Sequence, residues 1–163
     1  MKRNKPKLTN VSILDVLRQK FGNVLPHGYN IFIHQENTQY ILYINDREVP
    51  RDAVSRAIGY ISFNIGFAEQ EIDIMFVLST LPKNGIGHYL MFLVAFVGKI
   101  FNIDKILLDD DSDLAHRGSL YEKLGCNYIN ESPNPEMECS ASKILLKRGS
   151  FETKYMGPGM FFK

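Results

Sequence analysis

Between Glu71 and Phe101 the hydrophobic pattern changes period once, and the change falls on a glycine loop. Ile72, Ile74, Phe76 and Leu78 alternate with Glu71, Asp73, Met75 and Val77, which predicts a strand with one apolar face. Pro82 stops the strand, and Asn84, Gly85 and Gly87 supply residues that tolerate a tight turn. From Ile86 the apolar positions fall at Leu90, Val94, Val97 and Phe101, which is helical spacing. Met91, Phe92 and Phe96 lie off that stripe. The helix is therefore buried on several sides by its own chain or covers a partner subunit, the second case implying a homodimer.

The same reading places the other elements. Ser12 is an N-cap, and Ile13, Val16, Leu17 and Phe21 trace a helix ending at Gly22. Tyr29 to Gln35 and Gln39 to Asn45 read as a hairpin, Asn45 to Asp52 as loop, and Arg56 to Phe67 as a further strand. Beyond the central helix, Lys105 to Leu108 is a short strand running into an acidic stretch, Asp109 to Asp113. Arg117 to Leu124 is a helix with Leu120 and Leu124 inward, closed by Gly125. A strand at Asn127 to Asn130, a loop with Pro133 and Pro135, and a last strand near Ser142 to Lys147 complete the pattern. The fold class is α+β: a mixed, mostly antiparallel sheet with a central β-α-β crossover and flanking helices. Residues 1–10 form a basic tail and residues 11–163 a single domain.

Composition narrows the function classes. A net charge of +1 gives no global basic field for nucleic acid, and the longest apolar run, Tyr89 to Val97, is too short for a membrane span. Cys126 and Cys139 are too few for a disulfide scaffold, and the N-terminus lacks the apolar core of a signal peptide. They read as reduced thiols of a cytoplasmic protein, the basic tail being compatible with a nuclear destination.

A strand, a glycine loop and a helix N-terminus in sequence can bind phosphate, because main-chain N–H groups converge there and the helix dipole assists. The loop is not a P-loop, since no Lys-Ser or Lys-Thr follows Gly87, and no third glycine completes a dinucleotide fingerprint. The acidic stretch is not a calcium loop either: Leu114 and Leu120 stand where Gly and Glu are needed. It could instead attract a cationic acceptor, or be a solvated acidic loop.

The ordered segments GYISFN, EIDIMFVLSTLPKNGIGHYL, DKILLDD and LYEKLGC resemble the GNAT superfamily of N-acetyltransferases, over roughly residues 56 to 148. That family carries a Q/R-x-x-G-x-G/A pyrophosphate loop and an LYEKLGF-like helix end. The resemblance implies a domain using acetyl-coenzyme A, without a metal, to acetylate a primary amine by direct attack in a ternary complex. It implies that Lys83, Asn84, Gly85, Ile86, Gly87 and His88 hold the pyrophosphate, and that the backbone of Val77 and Leu78 pairs with the pantetheine arm. Glu71 matches the general-base position of histone-acetylating members, Asp73 faces the same side, and Tyr121 matches the tyrosine that protonates the coenzyme A sulfur. Pro82, Leu114 and Cys126 depart from the pattern, where Gln or Arg, Asn and Phe are usual. The first two favour the alternative of a non-catalytic coenzyme-A-binding or protein-interaction module.

Overall fold

The computed structural model describes residues 10–21, 29–79, 85–109, 119–130 and 135–147. Helix α1 (Asn10–Phe21) precedes the hairpin of β1 (Asn30–Glu36) and β2 (Gln39–Asn45). A 3-10 helix (Arg51–Arg56) leads to β3 (Gly59–Gly66) and β4 (Glu71–Ser79), then α2 (Ile86–Phe101) and β5 (Lys105–Asp109). Helix α3 (Ser119–Lys123), β6 (Asn127–Tyr128), β7 (Glu136–Ser140) and α4 (Ala141–Leu146) follow. The strands form one seven-stranded sheet in the order β1-β2-β3-β4-β5-β7-β6, in which β4 and β5 are the parallel pair.

The expected hairpin forms, with Glu36 paired to Gln39 so that the link is Asn37-Thr38 alone; the φ of 56° at Asn37 is one that Asn tolerates. Strand β2 is buried on both faces. Tyr40, Leu42 and Ile44 join the main core, while Ile41 and Tyr43 pack with Val54 and Ala57 on the other side. That second cluster accounts for one correction. The chain from Arg51 to Arg56 is a 3-10 helix laid over the sheet, so β3 begins at Gly59 and not at Arg56. The segment before it is held to the sheet by Tyr43, whose hydroxyl accepts from Val49 N at 3.1 Å and lies 3.1 Å from His34 Nε2. Helix α1 begins two residues before the expected cap at Ser12. The buried residues Ile13 and Leu17 fix where that helix lies, not which polar residue opens it.

Helix α2 is buried over most of its circumference within its own chain, including Met91 and Phe92 off the main stripe. It ends at Asn102 in the left-handed region (φ 57°), with Ile103 N donating to Gly98 O at 2.7 Å. A Cβ on Gly98 would lie 2.4 Å from the Ile103 oxygen and 3.1 Å from Ala141 Cβ, so glycine there lets α4 pack closely.

The C-terminal part departs most from expectation. The predicted strand near Ser142 to Lys147 is helix α4, and the strand is β7 just before it. Asp104 sets the boundary: its Oδ1 accepts from Ser142 N at 2.9 Å and its Oδ2 from Ser140 Oγ at 2.7 Å. Ser140 Oγ in turn accepts from Lys143 N at 3.3 Å, so the helix start is capped by two side chains. The Ser140 hydrogen bond holds the Asp104 carboxyl below the usual carboxylate range. Strand β6 covers Asn127–Tyr128 where Asn127 to Asn130 was expected.

Cys126 and Cys139 are bonded to each other and are not reduced thiols. The register explains it. Asn127 pairs with Glu138, which sets Cys126 opposite Cys139 with a Cα–Cα distance of 4.3 Å, the narrow, non-hydrogen-bonded kind of antiparallel pair. Closing a loop of this length contributes about 3 kcal/mol in the chain-entropy account.

Candidate active site

Strand β4 does not keep the alternation its sequence suggests. Ser62 pairs with Phe76 and Phe63 with Ile74, which leaves Met75 as an extra residue in β4. Such a bulge reverses which face later residues address. Ile72 and Ile74 face the core, but Phe76 is 60% exposed and Leu78 40%, while Val77 turns inward against the core. Unbroken alternation would set Phe76 and Leu78 on the face of Ile72 and Ile74; the one extra residue turns them outward.

Next to the bulge, β4 and β5 separate. They pair from Glu71↔Lys105 to Ile74↔Leu108, after which β4 keeps β3 as its partner and β5 continues along β7 at Asp109↔Glu136. Beyond Ile74, the β5-facing edge of β4 has no strand partner among the described residues. The gap holds a cavity of about 30 Å³ between Ile74 to Val77, Leu108 with Asp109, and Tyr121 of α3. That is about the space of one water molecule. Two larger clefts, about 340 and 260 Å³, lie around Gly98, Asp104 and Ala141 and around Lys105, Cys139 and Lys143. They sit at the opposite end of the crossover from the splay.

Helix α2 starts at the same end of the sheet as the gap. Gly85 is its N-cap, in the left-handed region (φ 78°), and provides no side-chain cap. The first turn of a helix presents main-chain N–H groups outward along its axis, and the positive end of the dipole lies there. The buried Ile86 side chain anchors this turn. Gly59 makes the anchoring possible, since a Cβ there would lie 2.5 Å from Ile86 Cγ2 and 3.3 Å from Leu78 O. Gly59→Ala is expected to destabilise the fold by about 1–3 kcal/mol, read from the urea midpoint. Gly66→Ala should cost less, because its Cβ would meet the movable Glu69 carboxylate at 2.6 Å.

The open face of the sheet is acidic. Asp73 stands beside Asn64 on β3 and Leu107 on β5, with Glu71 two residues before it on the same face. Burial first, then Glu71, Glu136, Glu69 and Asp109, push the Asp73 carboxyl above the usual carboxylate range. Glu71 is differently placed. It opens the strand, and Lys105 Nζ lies 3.7 Å from its Oε2 and 3.5 Å from Glu138 Oε1. The structure thus brings Val77 and Tyr121 together at the splay, at the end of the sheet where α2 begins, with Leu78 exposed just beyond; Asp73 stands back in the paired part of β4 and Glu71 two residues farther. Lys83 and Asn84 fall outside the described residues, as do Pro82 and Leu114.

Sequence reasoning missed Met75, Phe76 and Asn64. The Asn64 Oδ1 is buried without a hydrogen-bond partner, and its Nδ2 lies 4.0 Å from Met75 Sδ. Asn64 could have been found as a polar residue facing Asp73 across the β3–β4 turn; nothing in the pattern marks Met75 as an insertion.

No family model and no curated protein matches the sequence. Solved structures do match. The spermidine/spermine N-acetyltransferase SpeG of Vibrio cholerae, in complex with manganese ions, superposes with a TM-score of 0.51 at 16% identity, covering 69% of this chain and 71% of that one. A SpeG–hSSAT chimera gives a TM-score of 0.52 at 17% identity, over 69% of this chain and 71% of that one. This is the GNAT fold. The expected mixed sheet with its central crossover is what the chain forms. Within the GNAT fold the splay between β4 and β5 is built by this chain's own Met75 bulge and by the switch of β5 from β4 to β7.

Proposed function

We propose that this chain is an acetyl-coenzyme-A-dependent N-acetyltransferase acting on a cationic primary amine. The observation that carries the reading is the meeting of Tyr121 with the edge of β4 that has no β5 partner among the described residues, at the end of the sheet where α2 begins. When bound, acetyl-coenzyme A supplies an activated acetyl thioester. The site fits it in kind: the first turn of α2, opened by a glycine without a side-chain cap, suits a pyrophosphate, and the edge near Val77 and Leu78, which has no β5 partner among the described residues, can pair with an amide-bearing arm. In this reading Asp73 removes a proton from the acceptor ammonium, the main chain of the splay orients the thioester carbonyl, and Tyr121 gives a proton to the departing sulfur.

The acidic face supports the choice of acceptor. Glu69, Glu71, Asp73, Asp109 and Glu136 raise one another's local negative potential, and a cation is drawn to such a surface. The spermidine/spermine acetyltransferases that share the fold are named for substrates of this charge.

A thermal-shift series with acetyl-coenzyme A and free coenzyme A, paired with acetyl transfer to a panel of amines, tests the reading. Ligand at 100-fold its Kd should raise Tm by about 5–10 °C for a domain of this size. Cationic amines should be acetylated in preference to neutral or acidic ones. Absence of both a shift and any transfer would overturn the proposal. A shift without transfer would favour the non-catalytic module.

A further inference from the structure

We propose that the Cys126–Cys139 disulfide is a redox modification site that fixes the position of Tyr121, so that reduction lowers acetyl transfer. The inference rests on the acetyltransferase reading for its effect on rate, and on the geometry alone for its effect on Tyr121.

The link from sulfur to tyrosine is short. Cys126 N donates to Tyr121 O at 3.0 Å, and Leu124 N donates to the same oxygen at 3.1 Å. Between them Gly125 turns in the left-handed region (φ 88°), with its N–H on Glu122 O at 3.0 Å. Among the described residues α3 spans Ser119–Lys123, and what grips its C-terminal end bears directly on the place of Tyr121. At its C-terminal end the grip is the buried Leu124 and the bond from Cys126 to β7. Strand β6 adds only two residues of pairing.

Both redox states are compatible with a folded chain. Each cysteine is 3% exposed and sits in the main apolar cluster, where a thiol packs as a small hydrophobe. Two thiols need more room than one covalent bond, so reduction moves Cys126 away from β7 and carries the Tyr121 carbonyl with it.

The chemistry is a thiol–disulfide exchange with a dithiol reductant. Cys139 lines a cleft of about 260 Å³ that also bears Lys105 and Lys143 with Asp104 and Glu138, a polar, charge-balanced opening through which a small dithiol can approach. One thiolate of the dithiol attacks Cys139 Sγ, the protein S–S bond breaks, and Cys126 leaves as a thiolate and takes a proton. The second thiol of the reductant then displaces Cys139, which is protonated, and the reductant closes its own disulfide. Two electrons and two protons pass from the dithiol to the protein.

The test uses the full chain, oxidised and then reduced with dithiothreitol, with alkylation and mass measurement to count thiols. Hydrogen exchange across residues 119–130 should quicken by about tenfold on reduction. The kcat for the best amine should fall by about three- to tenfold, with the acetyl-coenzyme A KM within about twofold. The Tyr121→Phe variant should lose this redox sensitivity, because its hydroxyl is already gone. The Cys126→Ser/Cys139→Ser pair should match the reduced rate and ignore dithiothreitol. Two free thiols in protein kept under an oxidant, or unchanged exchange after proven reduction, overturns the inference; so does a rate loss that persists in Tyr121→Phe. Quickened exchange in a chain that acetylates no amine overturns the enzymatic reading and leaves the Tyr121 linkage standing.

Discussion

Asp73→Asn is expected to lower kcat by about 10²-fold or more, while Glu71→Gln changes it by less than about threefold. The two carboxylates share a face, but Glu71 lies two residues, ~7 Å, farther along β4 from the splay. It also forms an ion pair with Lys105 at 3.7 Å, so its carboxylate is already engaged with a cation of its own chain. Asp73 is placed otherwise, half-buried among Glu71, Glu136, Glu69 and Asp109, with its carboxyl raised above the ordinary value. A base whose pKa moves toward the operating pH is the better catalyst. The acid limb of the wild-type pH–rate profile should therefore fall above the usual carboxylate range and vanish in Asp73→Asn. The stability effect has the opposite sense. A carboxyl whose folded pKa exceeds its unfolded one favours the fold below the unfolded value, and loses that contribution as pH rises through the folded one. Asp73→Asn should accordingly leave the neutral-pH Tm unchanged or raised. A persistent acid limb in Asp73→Asn, or a larger rate loss in Glu71→Gln, would return the role to Glu71.

Much of this frame was legible in the pattern of side chains. The period change at the glycine loop located β4, α2 and β5 to within a residue, because a strand and a helix buried over most of their length must show their periods. The hairpin was legible for the same reason. The bulge was not, since the alternation Ile72, Ile74, Phe76, Leu78 runs unbroken through Met75 and only the pairing with Ser62 and Phe63 reveals the extra residue. Thus the end of β4 that matters most to the site was the end whose facing was misjudged. Helix α4 was mistaken for a strand because six residues show less than two helical turns, and one of its two capping side chains, Asp104, lies 38 residues before the Ser142 N–H it accepts from. The disulfide was hidden likewise: a separation of 13 residues says nothing until β6 and β7 are known to pair. Local periodicity reports burial; it does not report which distant segment provides the partner.

Tyr121→Phe is expected to lower kcat by about 10–10³-fold while leaving stability and coenzyme A affinity almost unchanged. The ring lines the cavity at the splay and packs against the main core, and phenylalanine keeps both contacts. What the variant loses is the proton. Collapse of the tetrahedral adduct expels a thiolate with a reference pKa of ~8.5, a fair leaving group, so the donor accelerates the step without being indispensable. That sets the upper limit below the largest acid–base effects. The donor must reach the sulfur directly or through one water, and the cavity beside Tyr121, about 30 Å³, has room for such a water. The base limb of the pH–rate profile should change in this variant while the acid limb, assigned to Asp73, stays. Combining the two substitutions should give losses that multiply if proton removal and proton delivery act independently on one transition state, and a loss near the larger single one if they limit separate steps. Unchanged turnover in Tyr121→Phe, with the acetyl-coenzyme A KM also unchanged, would remove the hydroxyl from the mechanism and leave the tyrosine as a packing residue.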